Sequence, residues 1–133
     1  DCRSALEAAG LDPQVGFLHV LRPGRAALAL DLMEEFRAHA DRLALTLVNR
    51  AQVTEKDFAL REGGGVTLLP DGRKKVVVAF QERKQEPVQH PLLAQSIPLG
   101  LAPLVQARLL ARAIRGELDA TGQTSGYVPF MPR

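Results

Sequence analysis

The stretch from residue 16 to residue 37, GFLHVLRPGRAALALDLMEEFR, decides the fold of this chain. Apolar residues recur at helical spacing in its second half and predict a helix over residues 26–37. A helix advances about 100° per residue, so one face of it carries three carboxylates: Asp31, Glu34 and Glu35. Upstream, Pro23 and Gly24 suit the central positions of a type II turn. This turn can fold His19 back towards the acids.

A histidine near an acidic helix has two interpretations. Mg²⁺ and Mn²⁺ prefer carboxylate oxygens, and Mn²⁺ in particular tolerates one imidazole ligand, so His19 and the acids suit a hard-metal site. However, a lone histidine beside such a helix is more often a hydrogen-bonded or surface residue, and acidic clusters are usually solvated faces. Spacing alone leaves both interpretations open.

The composition is that of one ordinary soluble domain. The 133 residues are 46% hydrophobic and 24% charged, with a formal net charge of +2. A single cysteine, Cys2, excludes an intramolecular disulfide and a cysteine-based zinc site. The N-terminus does not resemble a signal peptide, and no apolar run reaches the roughly 18–20 residues that span a membrane. We therefore expect a cytoplasmic protein without a membrane segment.

Periodicity elsewhere in the chain predicts a mainly α fold with one small β-hairpin. Asp41 is expected to cap the helix that follows it. The hairpin is expected over about residues 58–69, around three consecutive glycines. The segment 73–86 is ambiguous, because three valines favour a strand, whereas the spacing of Val76 and Phe80 favours a helix. Taking it as a helix, the predicted helices are residues 2–9, 26–37, 42–50, 73–86 and 102–115.

Several basic clusters are candidates for nucleic-acid contacts. They are Arg22/Arg25, Arg73/Lys74/Lys75, Arg83/Lys84 and Arg108/Arg112/Arg115. Guanidinium groups match phosphate oxygens, so such faces can hold a DNA backbone. The alternative is that these side chains only keep the surface soluble.

Several motifs together resemble one protein family. They are GLDPQVGFLH, RPGR, LALDLMEEFR, LVNR, HPLL and QARLLARAIRGELDA. This string is similar to the CRISPR adaptation integrase, the endonuclease that inserts new spacers into CRISPR arrays, in its subtype I-C version. The resemblance covers about residues 1–120. It implies that residues 1–120 form the helical C-terminal catalytic lobe, without the family's N-terminal β-sandwich and first lobe helices, and that residues 121–133 form a loose tail.

The resemblance also implies a metal site. The family binds Mg²⁺ or Mn²⁺ through a glutamate, a histidine and a further acidic residue. The histidine corresponds to His19 and the later acid to Glu34, so these two are the expected metal ligands. Asp31 is expected to join them in catalysis as a ligand or as a group that orients one. No residue in the first 17 matches the family's first glutamate, Glu7 included, so we expect impaired activity of this chain alone.

The expected partners follow from the same resemblance. They are prespacer and CRISPR-repeat DNA, the small ferredoxin-like adaptation nuclease, and a second copy in the full-length homodimer. The candidates for DNA-backbone contacts are Arg22, Arg25, Lys74 and Lys75. The alternative function is a non-enzymatic helical remnant that binds DNA or protein only.

Overall fold

A computed structural model describes residues 1–20, 22–117, 122–123 and 126–131. The α-helices of these residues are α1 Cys2–Ala8, α2 Ala27–Glu34, α3 Arg37–Asn49, α4 Pro70–Gln85 and α5 Ala102–Ile114. The strands form two antiparallel hairpins, β1 Phe58–Leu60 with β2 Val66–Leu68 and β3 Pro87–Gln89 with β4 Ser96–Pro98. The predicted mainly α class is confirmed. Within the described residues, no helix is both long and apolar enough to cross a membrane.

The second hairpin is missing from the sequence prediction. In β3 and β4 each strand has three residues, and Pro87 pairs with Pro98. Proline usually argues against a strand, and three residues are too few to show alternation. The first hairpin lies within the predicted range, and the ambiguous valine segment is helical in α4.

The predicted helix over residues 26–37 ends early. α2 stops at Glu34 and α3 begins at Arg37, so Asp41 lies inside α3 and the prediction that it caps a helix is wrong. The backbone stays in the right-handed helical region at Glu35 (φ −64°, ψ −25°) and at Phe36 (φ −104°, ψ −1°), but the Phe36 angles depart from those of a regular helix. The α2–α3 junction is thus a break without glycine or proline.

The first part of the core joins α1, α2 and α5. It consists of leucine and alanine residues. The small alanine side chains let the helices approach closely, and the leucine side chains fill the space between them. Leu6 and Ala107 are fully buried, and Leu32 is 2% exposed. The cluster comprises Ala5, Leu6, Leu28, Ala29, Leu32 and Ala107. This packing fixes the buried side of α2 and hence the direction in which its other side chains point.

The second part of the core includes the end of the chain. Phe130 is 3% exposed and packs with Leu99 and Ala102. Its ring stacks on Phe36 at the α2–α3 break, with 5.2 Å between centroids. We call residues 126–131 the C-terminal segment. The expectation of a loose tail is wrong for this segment, because its aromatic ring is part of the core; residues 121, 124–125 and 132–133 lie outside the described residues.

Candidate metal centre

Asp31 is buried beneath the loop that precedes α2. The carboxylate is 9% exposed and accepts backbone N–H groups from Phe17 at 2.6 Å, Leu18 at 3.0 Å and His19 at 3.1 Å. Consecutive amides that converge on one carboxylate form an anion-binding concavity. Gly16 makes this close approach possible, because a Cβ there would lie 2.7 Å from the Asp31 Oδ2 atom. The acidic face is therefore not uniformly solvated.

Asp31 also fixes the imidazole of His19. Nδ1 of His19 lies 2.5 Å from Oδ1 of Asp31. Burial acts to raise the pKa of Asp31, but the hydrogen bonds from His19 and the three amides outweigh it and the net pKa is lowered. The carboxylate is therefore ionised at neutral pH, and Nδ1 carries the proton. When the imidazole is neutral and Nδ1 carries the proton, Nε2 has the free lone pair and is the atom that can bind a metal.

Glu34 lies one helical turn after Asp31 and is held by a different residue. Arg37 donates from Nε at 2.7 Å and from Nη2 at 2.8 Å to the two carboxylate oxygens. The hydrogen bonds from Arg37 lower the pKa of Glu34, so this carboxylate is ionised as well. It stays at the surface, with its side chain 41% exposed. A metal ion that binds Glu34 must compete with this ion pair.

One groove of about 460 Å³ is lined by Asp31, Glu34 and Glu35. Its walls come from the loop before α2, from α2 itself and from the C-terminal segment; they include Phe17, Leu18, Asp31, Glu34, Glu35, Tyr127 and Met131. The structure thus brings the three predicted acids together at this groove, although it places the His19 ring against Asp31 rather than against Glu34.

The donor set fits one part of a divalent-metal site. His19 Nε2 and the ionised Glu34 carboxylate are the donor types that Mn²⁺ and Mg²⁺ accept. Among the residues that the structure describes, no three His, Cys, Asp or Glu side chains are placed to share one ion. Asp31 has its oxygens engaged by the loop and by His19, so its geometry is that of an orienting group.

The sequence analysis missed the role of Glu35. Its carboxylate accepts hydrogen bonds from Gln106 Nε2 at 2.7 Å, from the Phe130 backbone N–H at 2.7 Å and from the Tyr127 hydroxyl. Burial and the neighbouring Glu35 charge raise the pKa of Tyr127, so the phenol keeps its proton. The sequence contains one indication of this role: Gln106 is a polar residue on the otherwise apolar face of α5. In the structure Gln106 is fully buried.

The candidate DNA contacts differ in their surroundings. Lys75 donates to both Asp57 oxygens, at 2.8 and 3.0 Å, and Asp57 is only 6% exposed. This pair joins α4 to the turn before β1, which gives Lys75 a structural role. Arg22 and Lys74 are exposed, and Arg25 is half-buried.

The comparison with known families gives one match over most of the chain. The profile described as "CRISPR associated protein Cas1" matches residues 1–82. A protein of Moorella thermoacetica, named CRISPR-associated endonuclease Cas1 1, is 60% identical over the whole chain, which spans 37% of the length of that relative.

Solved structures give the same fold. A casposase bound to integration product has a TM-score of 0.78 at 30% identity, covering 85% of this chain and 31% of the other. A CAS1 protein from Thermotoga maritima has a TM-score of 0.73 at 27% identity, covering 87% of this chain and 37% of the other. The helical arrangement described above is therefore shared with both.

Proposed function

The chain belongs to the Cas1 family of CRISPR-associated endonucleases, and from that premise we propose that it acts on DNA as the metal-binding lobe of a spacer-integrating endonuclease in CRISPR adaptation. The motif string of residues 1–120 supports the subtype I-C version of the family. The relatives are much longer than this chain, so the proposal concerns the part of the reaction that its own residues perform.

One observation carries the proposal: Asp31 holds His19 by Nδ1, and three loop amides hold Asp31. A carboxylate that fixes the tautomer and the ring plane of a histidine is the usual support for a metal-binding imidazole. The arrangement also explains why a buried acid lies on a helix face that otherwise points to solvent.

The proposed roles of the residues follow from these contacts. His19 binds a divalent ion through Nε2, Glu34 binds it through its carboxylate, and Asp31 orients His19 without binding the ion itself. The bound ion supplies Lewis-acid stabilisation of the charge that develops when a phosphodiester is cleaved or joined. Arg37 donates to both Glu34 carboxylate oxygens and therefore competes with the ion for them.

The charged surface supplies the proposed DNA contacts. Arg22, Arg25 and Lys74 contact the phosphate backbone of prespacer and repeat DNA, whereas Lys75 is committed to Asp57. The small ferredoxin-like adaptation nuclease and a second copy of the full-length protein are the proposed protein partners. Because the donors described here supply only part of a ligand set, we propose that this chain alone has impaired activity.

A Mn²⁺ titration tests the proposal. Paramagnetic line broadening of the His19 ring signals is expected in the unaltered chain and is expected to disappear in Glu34→Ala. Glu62→Ala, which removes an exposed acid in the β1–β2 loop, is the matched control and should leave the broadening unchanged. If His19 does not broaden at millimolar Mn²⁺, or broadens equally in Glu34→Ala, the two residues do not form a metal site.

The alternative is a non-enzymatic module that binds DNA or protein. The observation that favours it is the tight pairing of Glu34 with Arg37, whose guanidinium donates to both carboxylate oxygens. This function predicts salt-sensitive DNA binding that is the same with Mn²⁺ and with EDTA and is unchanged in Glu34→Ala. The metal-dependent function predicts Mn²⁺-dependent DNA cleavage or strand transfer that Glu34→Ala abolishes.

A further inference from the structure

A partly buried polar network connects the C-terminal segment to the end of α2. Gln106 on α5 has its Nε2 atom 2.7 Å from Glu35, 3.1 Å from the Tyr127 hydroxyl and 3.1 Å from the Val128 carbonyl, so its two hydrogens are shared among three acceptors. Tyr127 in turn donates to Glu35. Glu35 is half-buried and thus receives donors both from α5 and from the C-terminal segment.

His90 fixes the orientation of Gln106. The backbone N–H groups of Leu92 and Leu93 point at His90 Nδ1, at 3.3 and 3.2 Å, so Nδ1 accepts and the proton lies on Nε2. Nε2 then donates to Gln106 Oε1 at 3.0 Å. Since Gln106 accepts on its oxygen, its amide nitrogen must face Glu35 and the C-terminal segment. The direction of every hydrogen bond in the network is determined.

The network ends at the break between α2 and α3. Glu35 and Phe36 are the two residues between the helices, and the side chain of Phe36 does not cap the start of α3. Both are instead held by the C-terminal segment: Glu35 by Tyr127 and the Phe130 amide, and Phe36 by stacking on the Phe130 ring. Glu34 is the last residue of α2 and Arg37 the first of α3, so the break sets how these two charged groups face each other.

We propose that Tyr127 and Glu35 are positioning residues for Glu34: through the α2–α3 break, the C-terminal segment sets the orientation of the Glu34 carboxylate and its pairing with Arg37. The importance of this for metal binding rests on the proposed function, whereas the coupling of Tyr127 to the Glu34–Arg37 pair does not. Tyr127 itself touches neither His19 nor Glu34 by hydrogen bond.

The first test needs no metal. Tyr127→Phe removes one hydroxyl and keeps the ring. The measurement is hydrogen exchange of the Arg37 Nε–H, which Glu34 protects. Exchange is expected to accelerate about two- to fivefold, because the protection that can be lost is that of one exposed ion pair.

A matched control separates positioning from general loss of stability. Lys75→Gln breaks the pair with Asp57, which lies in another part of the fold. It is expected to lower the melting temperature without changing Arg37 exchange. The inference is overturned if Arg37 exchange is unchanged in Tyr127→Phe, or if Lys75→Gln accelerates it equally.

The second test uses Mn²⁺ on the same variants, read at the His19 ring. Tyr127→Phe is expected to raise the Kd on the order of tenfold, the lower end of what one lost hydrogen bond to a charged group corresponds to. If the unaltered chain binds Mn²⁺ through Glu34 and Tyr127→Phe binds it with equal affinity, the positioning role is overturned. The proposed function would still stand in that case. Absence of Mn²⁺ binding in the unaltered chain would refute the proposed function, and Arg37 exchange would then decide the coupling alone.

Discussion

Replacement of Asp31 by Asn tests the account of the loop before α2 most directly. The aspartate accepts three backbone N–H groups and the His19 Nδ1–H. Asparagine has nearly the same shape but lacks the charge, and its amide nitrogen would face N–H donors. One hydrogen bond to a charged group contributes roughly 1.5–3 kcal/mol, and the bonds of one carboxylate are not additive. We therefore expect a loss of about 3–4 kcal/mol in the free energy of unfolding.

The pH dependence of stability gives a second, independent test of the Asp31→Asn variant. The pKa of Asp31 is lower in the folded chain than in the unfolded chain, so its stabilisation is present above the unfolded value of about 3.9 and is lost as pH falls through the folded value. The asparagine of the variant does not titrate. The stability difference between the two proteins should therefore be largest at neutral pH and should shrink on acidification.

Urea unfolding at pH 7 and at pH 3 measures both effects. For a chain of this size the loss at neutral pH corresponds to a fall in melting temperature of roughly 10–15 °C. Asp41→Asn, an exposed acid on α3, is the control and should change stability by less than about 0.5 kcal/mol. A loss below about 1 kcal/mol in Asp31→Asn, or a loss that is the same at both pH values, would refute this account of the loop.

The remaining predictions concern the groove, the core and the surface. Arg37→Ala removes the cation that pairs with the Glu34 carboxylate and should strengthen Mn²⁺ binding in the His19 titration. Weaker binding in this variant would contradict competition between Arg37 and the ion. Phe130 is 3% exposed, so Phe130→Ala leaves a cavity in the core and should lower the free energy of unfolding by about 3 kcal/mol. Urea unfolding measures this loss, and Met131→Ala, which changes an exposed side chain, is the control. Lys74→Gln should weaken DNA binding uniformly across sequences and reduce the salt slope by about one, whereas Lys75→Gln should leave that slope unchanged; equal slopes in both variants would contradict the assignment.

Local patterns predicted most helices and the first hairpin. The helix over α5 and the helical reading of the valine segment depend on spacing within a few turns, and the structure confirms both. The break after Glu34 could not be predicted in this way. Its cause is the attachment of Glu35 and Phe36 to residues near the other end of the chain, and no glycine or proline marks it.

The candidate site shows the same division. Helical spacing placed Asp31, Glu34 and Glu35 on one face, and the structure gives each of them a different partner: a backbone loop, an arginine and the C-terminal segment. Spacing reports which side chains share a face, but burial decides which of them stay in solvent. The burial of Asp31 depends on the backbone path of the loop at Gly16, which the pattern of side chains does not encode.

The separation along the chain between Glu35 and Phe130 has a consequence for the order of assembly. The Asp31 contacts join residues 12–14 positions apart and can form as soon as that part of the chain leaves the ribosome. The contact between Phe130 and Glu35 spans 95 positions, which at roughly 5–20 residues per second takes about 5–20 s more to synthesise. The contacts that hold His19 can therefore form in the nascent chain before the contacts that hold the α2–α3 break. The Phe130–Glu35 contact closes a long loop, so its formation costs more loop-closure entropy. We therefore expect it to form more slowly than the Asp31 contacts.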